Sequence, residues 1–235
     1  MMKQTKFALC IVIGLAAIFL TVGLTSASEK VTPQVMNGLP LIYNADFSKG
    51  ASDWQPTDSK AWKIIKDKGI PVYSLFKQSE YKAPVRSPIN RSLVKKLSVK
   101  SFVIESVIRS TKDNYPHRDM CLFFGYQDAS HFYYAHIAPA KNNDPHANSI
   151  FLVNGEPRVS IATKRNNGTQ WKDGTYHTVR LIRDVETGSI QVFFDNLLTP
   201  ILIAQDKTFT SGLVGVGSFD DIGNIKMFKV WGEKK

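Results

Sequence analysis

Between residues 47 and 231 the chain is a succession of short runs in which apolar and polar residues alternate, each closed by a turn signal. This pattern constrains the fold more than any other feature. Side chains of period two can cover one face of a strand but cannot form one stripe of a helix. The runs span 62–65, 72–77, 102–109, 121–126, 131–137, 149–153, 158–162, 177–183, 190–194, 213–218 and 225–231. Between them stand Lys68-Gly69, Gln127-Asp128, Asn154-Gly155, Asn167-Gly168, Asp173-Gly174 and Thr187-Gly188. Such pairs supply the positive φ angles and local hydrogen bonds of tight turns. Helical spacing is confined to residues 90–97, where Leu93, Val94 and Leu97 predict a helix of about two turns. Strands with no helices between them imply an antiparallel sandwich or barrel.

Alternation also assigns faces. In 102–109, Phe102, Ile104, Ser106 and Ile108 share one face, and Val103, Glu105, Val107 and Arg109 the other. That strand has a core side and a solvent side. In 131–138, His131, Tyr133, Ala135 and Ile137 oppose Phe132, Tyr134, His136 and Ala138. Neither set is plainly polar, so this strand is expected to be central, with its outer face also partly covered.

Lys3 and Lys6 precede an uncharged apolar run over 7–24, and the small residues Thr25, Ser26 and Ala27 follow it. This is the order of a secretory signal peptide cleaved after Ala27. An uncleaved membrane anchor is the competing reading, because the run just reaches spanning length. The expected organisation is a signal peptide over 1–27, a linker over 28–41 and one β-domain over 42–233, in a secreted or periplasmic protein. The chain carries 30 Lys+Arg against 20 Asp+Glu, a formal +10 at pH 7. Removing 1–27 lowers that excess only by Lys3 and Lys6. An export signal, together with the lack of any run of five Lys/Arg, argues against nucleic acid as partner. It favours anionic material, acidic polysaccharide above all. No membrane contact is expected beyond the signal or anchor segment. Cys10 leaves with the signal, so Cys121 has no disulfide partner and reads as a small buried hydrophobe.

The segment Phe-Phe-Gly-Tyr-Gln-Asp-Ala-Ser-His-Phe-Tyr-Tyr-Ala-His (123–136) resembles the strand–turn–strand of concanavalin A-like lectin/glucanase, or laminin-G-like, domains. The stretches 174–183, 190–196 and 212–219 are similar to their later strands, the last of these Gly-rich. The likeness extends to exported bacterial 3-keto-disaccharide hydrolase-like domains and covers most of residues 42–232. It implies an all-β, two-sheet antiparallel jelly-roll sandwich, preceded by the signal helix, whose concave face takes sugar. Two departures qualify what else it implies. Retaining glucanases of this kind carry Glu-x-Asp-x-x-Glu, two carboxylates about 5–5.5 Å apart, and here Glu105 stands alone. Relatives also hold a structural calcium between an early acid and an Asp of the last strand. Asp46 fits the first position, but Lys226 or Met227 occupies the second, leaving the preceding Asp220 and Asp221 as substitute ligands.

Sugar sites combine aromatic faces with Arg, Asn, Asp and His that hydrogen-bond hydroxyls. The region 109–158 is richest in these types and holds four of the five histidines. Arg86, Glu105, Arg109, Arg118, His146, Asn148 and Arg158 are the candidate substrate-binding residues. Tyr134 and His136 share a strand face and form a candidate acid and base for a hydrolase or polysaccharide lyase. His117, His146 and Asp144 lack the His-x-His or His-x3-His spacing of a zinc site. The sequence thus leads to a glycan-binding protein. An enzyme with a His/Tyr/Arg site on the same face is the alternative, and a protein-assembly module the third reading.

Overall fold

The computed structural model describes residues 32–235. The signal-peptide reading of 1–27, including its helix, lies outside them, as does the start of the 28–41 linker. The strands, in chain order, are β1 (Val35–Met36), β2 (Leu39–Ala45), β3 (Trp54–Pro56), β4 (Trp62–Asp67), β5 (Ile70–Leu75), β6 (Asn90–Ser110), β7 (Met120–Asp128), β8 (His131–Ile137), β9 (Ser149–Asn154), β10 (Val159–Ser160), β11 (Ala162–Arg165), β12 (His177–Arg183), β13 (Ser189–Phe194), β14 (Leu202–Gln205), β15 (Gly212–Ser218) and β16 (Gly223–Lys234). One 3-10 turn, Ser59–Ala61, is capped by the Asp58 carboxylate. All strand pairings among the described residues are antiparallel.

The strands form two layers joined through β6. Its first half pairs with β15 and β3, and the first sheet continues outward as β15-β7-β8-β9-β10. Its second half pairs with β12 and β16. The second sheet runs β11-β14-β13-β12-β6-β16, with β2 and β5 sharing the far edge of β16. The crossing of β6 between layers coincides with a bulge. Leu213 faces Ser98 while Gly215 faces Leu93, so β6 carries extra residues there, and Lys96 adopts φ 59°.

This bulge overturns the helix expected over 90–97, which is the start of β6. Val94 and Leu97 both belong to the main core. Their spacing of three comes from the inserted residues and not from a helical turn. The linker reading of 28–41 also changes, since β1 and β2 already lie within 35–45. Asn37 and Gly38, with φ of 51° and 77°, form the tight turn between them. The Trp231 indole N–H further ties the segment down by donating to Pro33 O at 2.8 Å.

The core fills the space between the layers. Leu122, Phe124, Tyr133, Ala135, Ile137, Val214 and Val216 of the first sheet meet Ile104, Ile108, Val179, Leu181, Val192, Ile225 and Phe228 of the second. Burial of each large side chain contributes roughly 1.5–3 kcal/mol. Gly217 in β15 is required by close approach, because a Cβ there would sit 2.0 Å from Asn90 O.

The first sheet has a second apolar face. Leu93, Cys121, Phe123, Phe132, Tyr134, Phe151 and Val153 alternate with the core residues and point outward, yet all are buried. Residues 76–89, which have no regular structure, lie against this face: Val85 packs on the cluster, and Arg86 O accepts from Arg158 N. The aromatic residues on both sides of β8 are explained by this cover.

Candidate functional site

Antiparallel register builds the site. Cys121 stands opposite His136 and Phe123 opposite Tyr134, while on the other flank Phe151 faces Tyr134 and Ser149 faces His136. Cross-strand neighbours of this kind share a face. The result is an outward column in which Tyr134 stacks on Phe151, with ring centroids 5.1 Å apart and planes 16° apart. His136 ends the column at the rim, 6.0 Å from the Phe151 ring centroid. Residues 76–89 seal its middle, so a ligand cannot lie across the sheet face.

Open at that rim is a cavity of about 330 Å³, lined by Arg86, Tyr115, His117, His136, His146, Arg158, Phe219 and Asp220. Arg158 organises it. The guanidinium lies 4.7 Å from the Phe151 ring centroid and 4.1 Å from that of Phe219. One nitrogen donates to Tyr134 Oη at 2.9 Å and another to His146 O at 2.7 Å. His117 lies 3.4 Å from the Asp144 carboxylate. A larger hollow of about 560 Å³ adjoins, sharing Tyr115, but its other lining residues include no Arg or His. The smaller cavity therefore holds the denser chemistry.

Behind the cavity lies a carboxylate group. Asp119, immediately before β7, is fully buried, as is Asp221, while Asp220 is exposed. Tyr115 Oη donates to Asp221 Oδ2 at 2.8 Å, and the Asp119 backbone N–H donates to the same oxygen at 2.8 Å. Burial, followed by the neighbouring Asp119 charge, pushes the Asp221 carboxyl up to about 6. Burial likewise raises the Cys121 thiol well above its ordinary value, with Asp119 adding to the effect.

The residues expected from sequence divide by location. Arg86, His136, His146 and Arg158 line the one cavity. Tyr134, read as the acid, lies beneath Arg158 with no exposed surface, and burial holds its phenol well above the usual range. It is a buried support for Arg158, out of reach of a substrate. Arg118 is buried and turned away, donating to Ser110 O and Oγ and pairing with Asp173. Asn148 is buried and fastens its loop by donating to Asn166 Oδ1 at 2.8 Å. Glu105 and Arg109 belong to the second half of β6, hence to the other sheet. There Glu105 pairs with Arg180 at 2.5 Å and Arg109 with Asp67 at 2.8 Å. Tyr115, Phe219 and Asp220 enter from loops. In the sequence only turn-like segments mark Tyr115 and Phe219, while Asp220 stands out as a possible calcium ligand.

The calcium expected between Asp46 and Asp221 finds no shared site. Asp46 accepts from Ser48 N and Oγ at the end of β2. It belongs to neither cluster of three metal-capable side chains among the described residues, which are Asp119/Cys121/His136 and Asp119/Asp220/Asp221. Asp46 follows Ala45, which pairs with Phe228, seven residues beyond Asp221 along the chain. A strand advances about 3.3 Å per residue, so the two acids stand far apart.

No protein-family profile matches the sequence, and no curated protein matches it. Solved structures do. A carbohydrate-binding module, CBM66 from Bacillus subtilis, is similar over 74% of this chain and 91% of its own, with 14% identity and a TM-score of 0.52. A Bacillus subtilis protein of unknown function with a galectin-like fold is similar over 83% and 97%, with 12% identity and a TM-score of 0.54. Winged bean acidic lectin, solved with methyl-alpha-D-galactose, is similar over 82% and 98%, with 15% identity and a TM-score of 0.54. The architecture is thus the concanavalin A-like jelly-roll found in lectin domains.

Proposed function

We propose that this chain is an exported carbohydrate-binding protein that takes an anionic glycan in the rim cavity. The observation that carries the reading is the convergence of Arg86, Arg158, His117 and His146 on one opening, beside the Phe219 ring. Guanidinium forks match the planar carboxylate of a uronate, and an aromatic face suits the apolar side of a pyranose. The excess of Lys and Arg, which loses only Lys3 and Lys6 with the signal segment, adds attraction for polyanions. The similarity to a carbohydrate-binding module and to a lectin solved with methyl-alpha-D-galactose supports sugar as the ligand class. A binder is favoured over a hydrolase or lyase, because Tyr134 is sealed beneath Arg158 and cannot pair with His136 as a catalytic acid.

The test is calorimetric titration with neutral and uronate-bearing oligosaccharides, alongside an absorbance assay for unsaturated products. Binding of the acidic sugars is expected, weakening with salt, without turnover. Arg86→Ala combined with His146→Ala alters two exposed residues. The double change is expected to weaken binding at least about tenfold, roughly 1.4 kcal/mol, with an unchanged melting temperature. Binding of neutral glycans alone, or no sugar binding at all, refutes the reading, and the latter outcome points to protein assembly. Turnover lost in His136→Ala would make the protein an enzyme.

A further inference from the structure

Behind the cavity, where His136 lines it, lie three groups that glycan recognition leaves unused. Asp119 Oδ2 accepts from Phe219 N at 2.7 Å and from Cys121 Sγ at 3.2 Å. Asp119 Oδ1 is equally buried and has no partner. The His136 side chain is 4% exposed, and its Nε2 lies 3.2 Å from Asp119 Oδ2. The orientation makes no hydrogen bond, and neither ring nitrogen has a partner. Buried polar atoms are ordinarily paired, so an unpaired imidazole and an unpaired carboxylate oxygen side by side in one interior call for a ligand. One donor atom each from Asp119, Cys121 and His136 lies within 4.8 Å of the others.

We propose that Asp119, Cys121 and His136 bind a divalent cation of the zinc class. The donors are one oxygen, one sulfur and one nitrogen, a set that zinc accepts and calcium, which takes six to eight oxygens, does not. Zinc–ligand lengths of about 2.0–2.3 Å in a tetrahedron put donors roughly 3.3–3.8 Å apart. Asp119 Oδ2 already stands 3.2 Å from both Cys121 Sγ and His136 Nε2, so only small shifts are needed to reach that spacing. Asp220 and Asp221 join Asp119 in a second acidic group, so a dication here meets negative charge on that side. His136 and Asp220 both line the open cavity, which supplies the entry path and a fourth coordination position. On binding, the Cys121 S–H bond breaks, the sulfur–metal bond forms and one proton leaves to solvent. Register explains why these three residues meet. Asp119, the residue before β7, stands two positions from Cys121 and accepts from its Sγ, and Cys121 is paired with His136. The proposal does not depend on the glycan reading, since it needs no sugar.

The test adds Co²⁺ and then Zn²⁺ to the chelator-stripped protein. The tetrahedral d–d bands and a thiolate-to-cobalt charge-transfer band are expected at one equivalent, with Zn²⁺ displacing the cobalt. Cys121→Ser is expected to abolish the charge-transfer band, and His136→Ala to weaken Zn²⁺ at least about tenfold. Near-ultraviolet circular dichroism checks that each variant is folded. Should the variants fail to fold, zinc X-ray absorption on the unaltered protein still decides, with one sulfur expected in the first shell. An all-oxygen shell, a charge-transfer band that persists in Cys121→Ser, or no stoichiometric metal overturns the proposal.

Discussion

Arg158 is the residue whose removal is most informative. Replacement by Met keeps the apolar stem and removes the guanidinium. The exposed His146 carbonyl then turns to water at little cost. The Tyr134 hydroxyl, with no solvent access, loses its donor and is left unsatisfied, which costs about 1–3 kcal/mol. The stacks on Phe151 and Phe219 are worth about 0.5–2 kcal/mol each. Together Arg158→Met is expected to destabilise the protein by about 2–7 kcal/mol. Tyr134→Phe alone costs about 1 kcal/mol, because the half-buried guanidinium can find water. The double variant has no orphaned hydroxyl, so it is expected to cost about 1–2 kcal/mol less than the two single changes together. Urea unfolding followed by tryptophan fluorescence measures this, with midpoints compared at constant slope. If the double variant equals the sum of the singles within about 0.5 kcal/mol, the Arg158–Tyr134 bond couples nothing and the account of the column is wrong.

Asp221 gives a pH signature. Its folded carboxyl is raised from 3.8 to about 6, so its contribution is complete below the unfolded value and is lost as pH rises through about 6. Two units correspond to about 3 kcal/mol. Asp221→Asn keeps an oxygen for Tyr115 Oη and Asp119 N, so it is expected to flatten the stability profile between pH 4 and 7 and to gain about that much at pH 7. Unfolding curves in chelator at both pH values check it, and an unaltered profile would defeat it. Gly217→Ala drives a Cβ to 2.0 Å from Asn90 O and 3.0 Å from Phe123 Cε2. It is expected to lose about 1–3 kcal/mol or more by forcing β15 from β6, which a melting curve reads directly.

Strands bounded by clear turn signals were the easiest to see in the sequence. Residues 131–137 and 177–183 coincide with β8 and β12, since period and flanking turns agree there. The start of β6 was misread because a bulge puts Val94 and Leu97 three apart on the core side, and periodicity registers inserted residues as helical spacing. The site was half legible. Arg86, His136, His146 and Arg158 converge because strand faces and long polar loops can be inferred locally. Glu105 and Arg109 lie on the wrong sheet, because alternation says which side of a strand is wet but not which layer the strand belongs to. Tyr134 and Asn148 are buried for a further reason. The cover provided by 76–89 and the Asn166 contact are tertiary facts with no local signal.

β6 runs unbroken through 21 residues and supplies pairing partners to both layers. The two slabs consequently share one strand: motion that parted them would strain its ladders, with the bulge near Lys96 as the place where it bends. Adaptation to a guest at the rim is thereby left to the irregular segments around it, those bearing Arg86, Tyr115, His117, His146 and Phe219, while His136 on β8 stays fixed beneath. Selectivity in such an arrangement resides in the walls of the opening, and changing those segments can retune what enters without disturbing the platform.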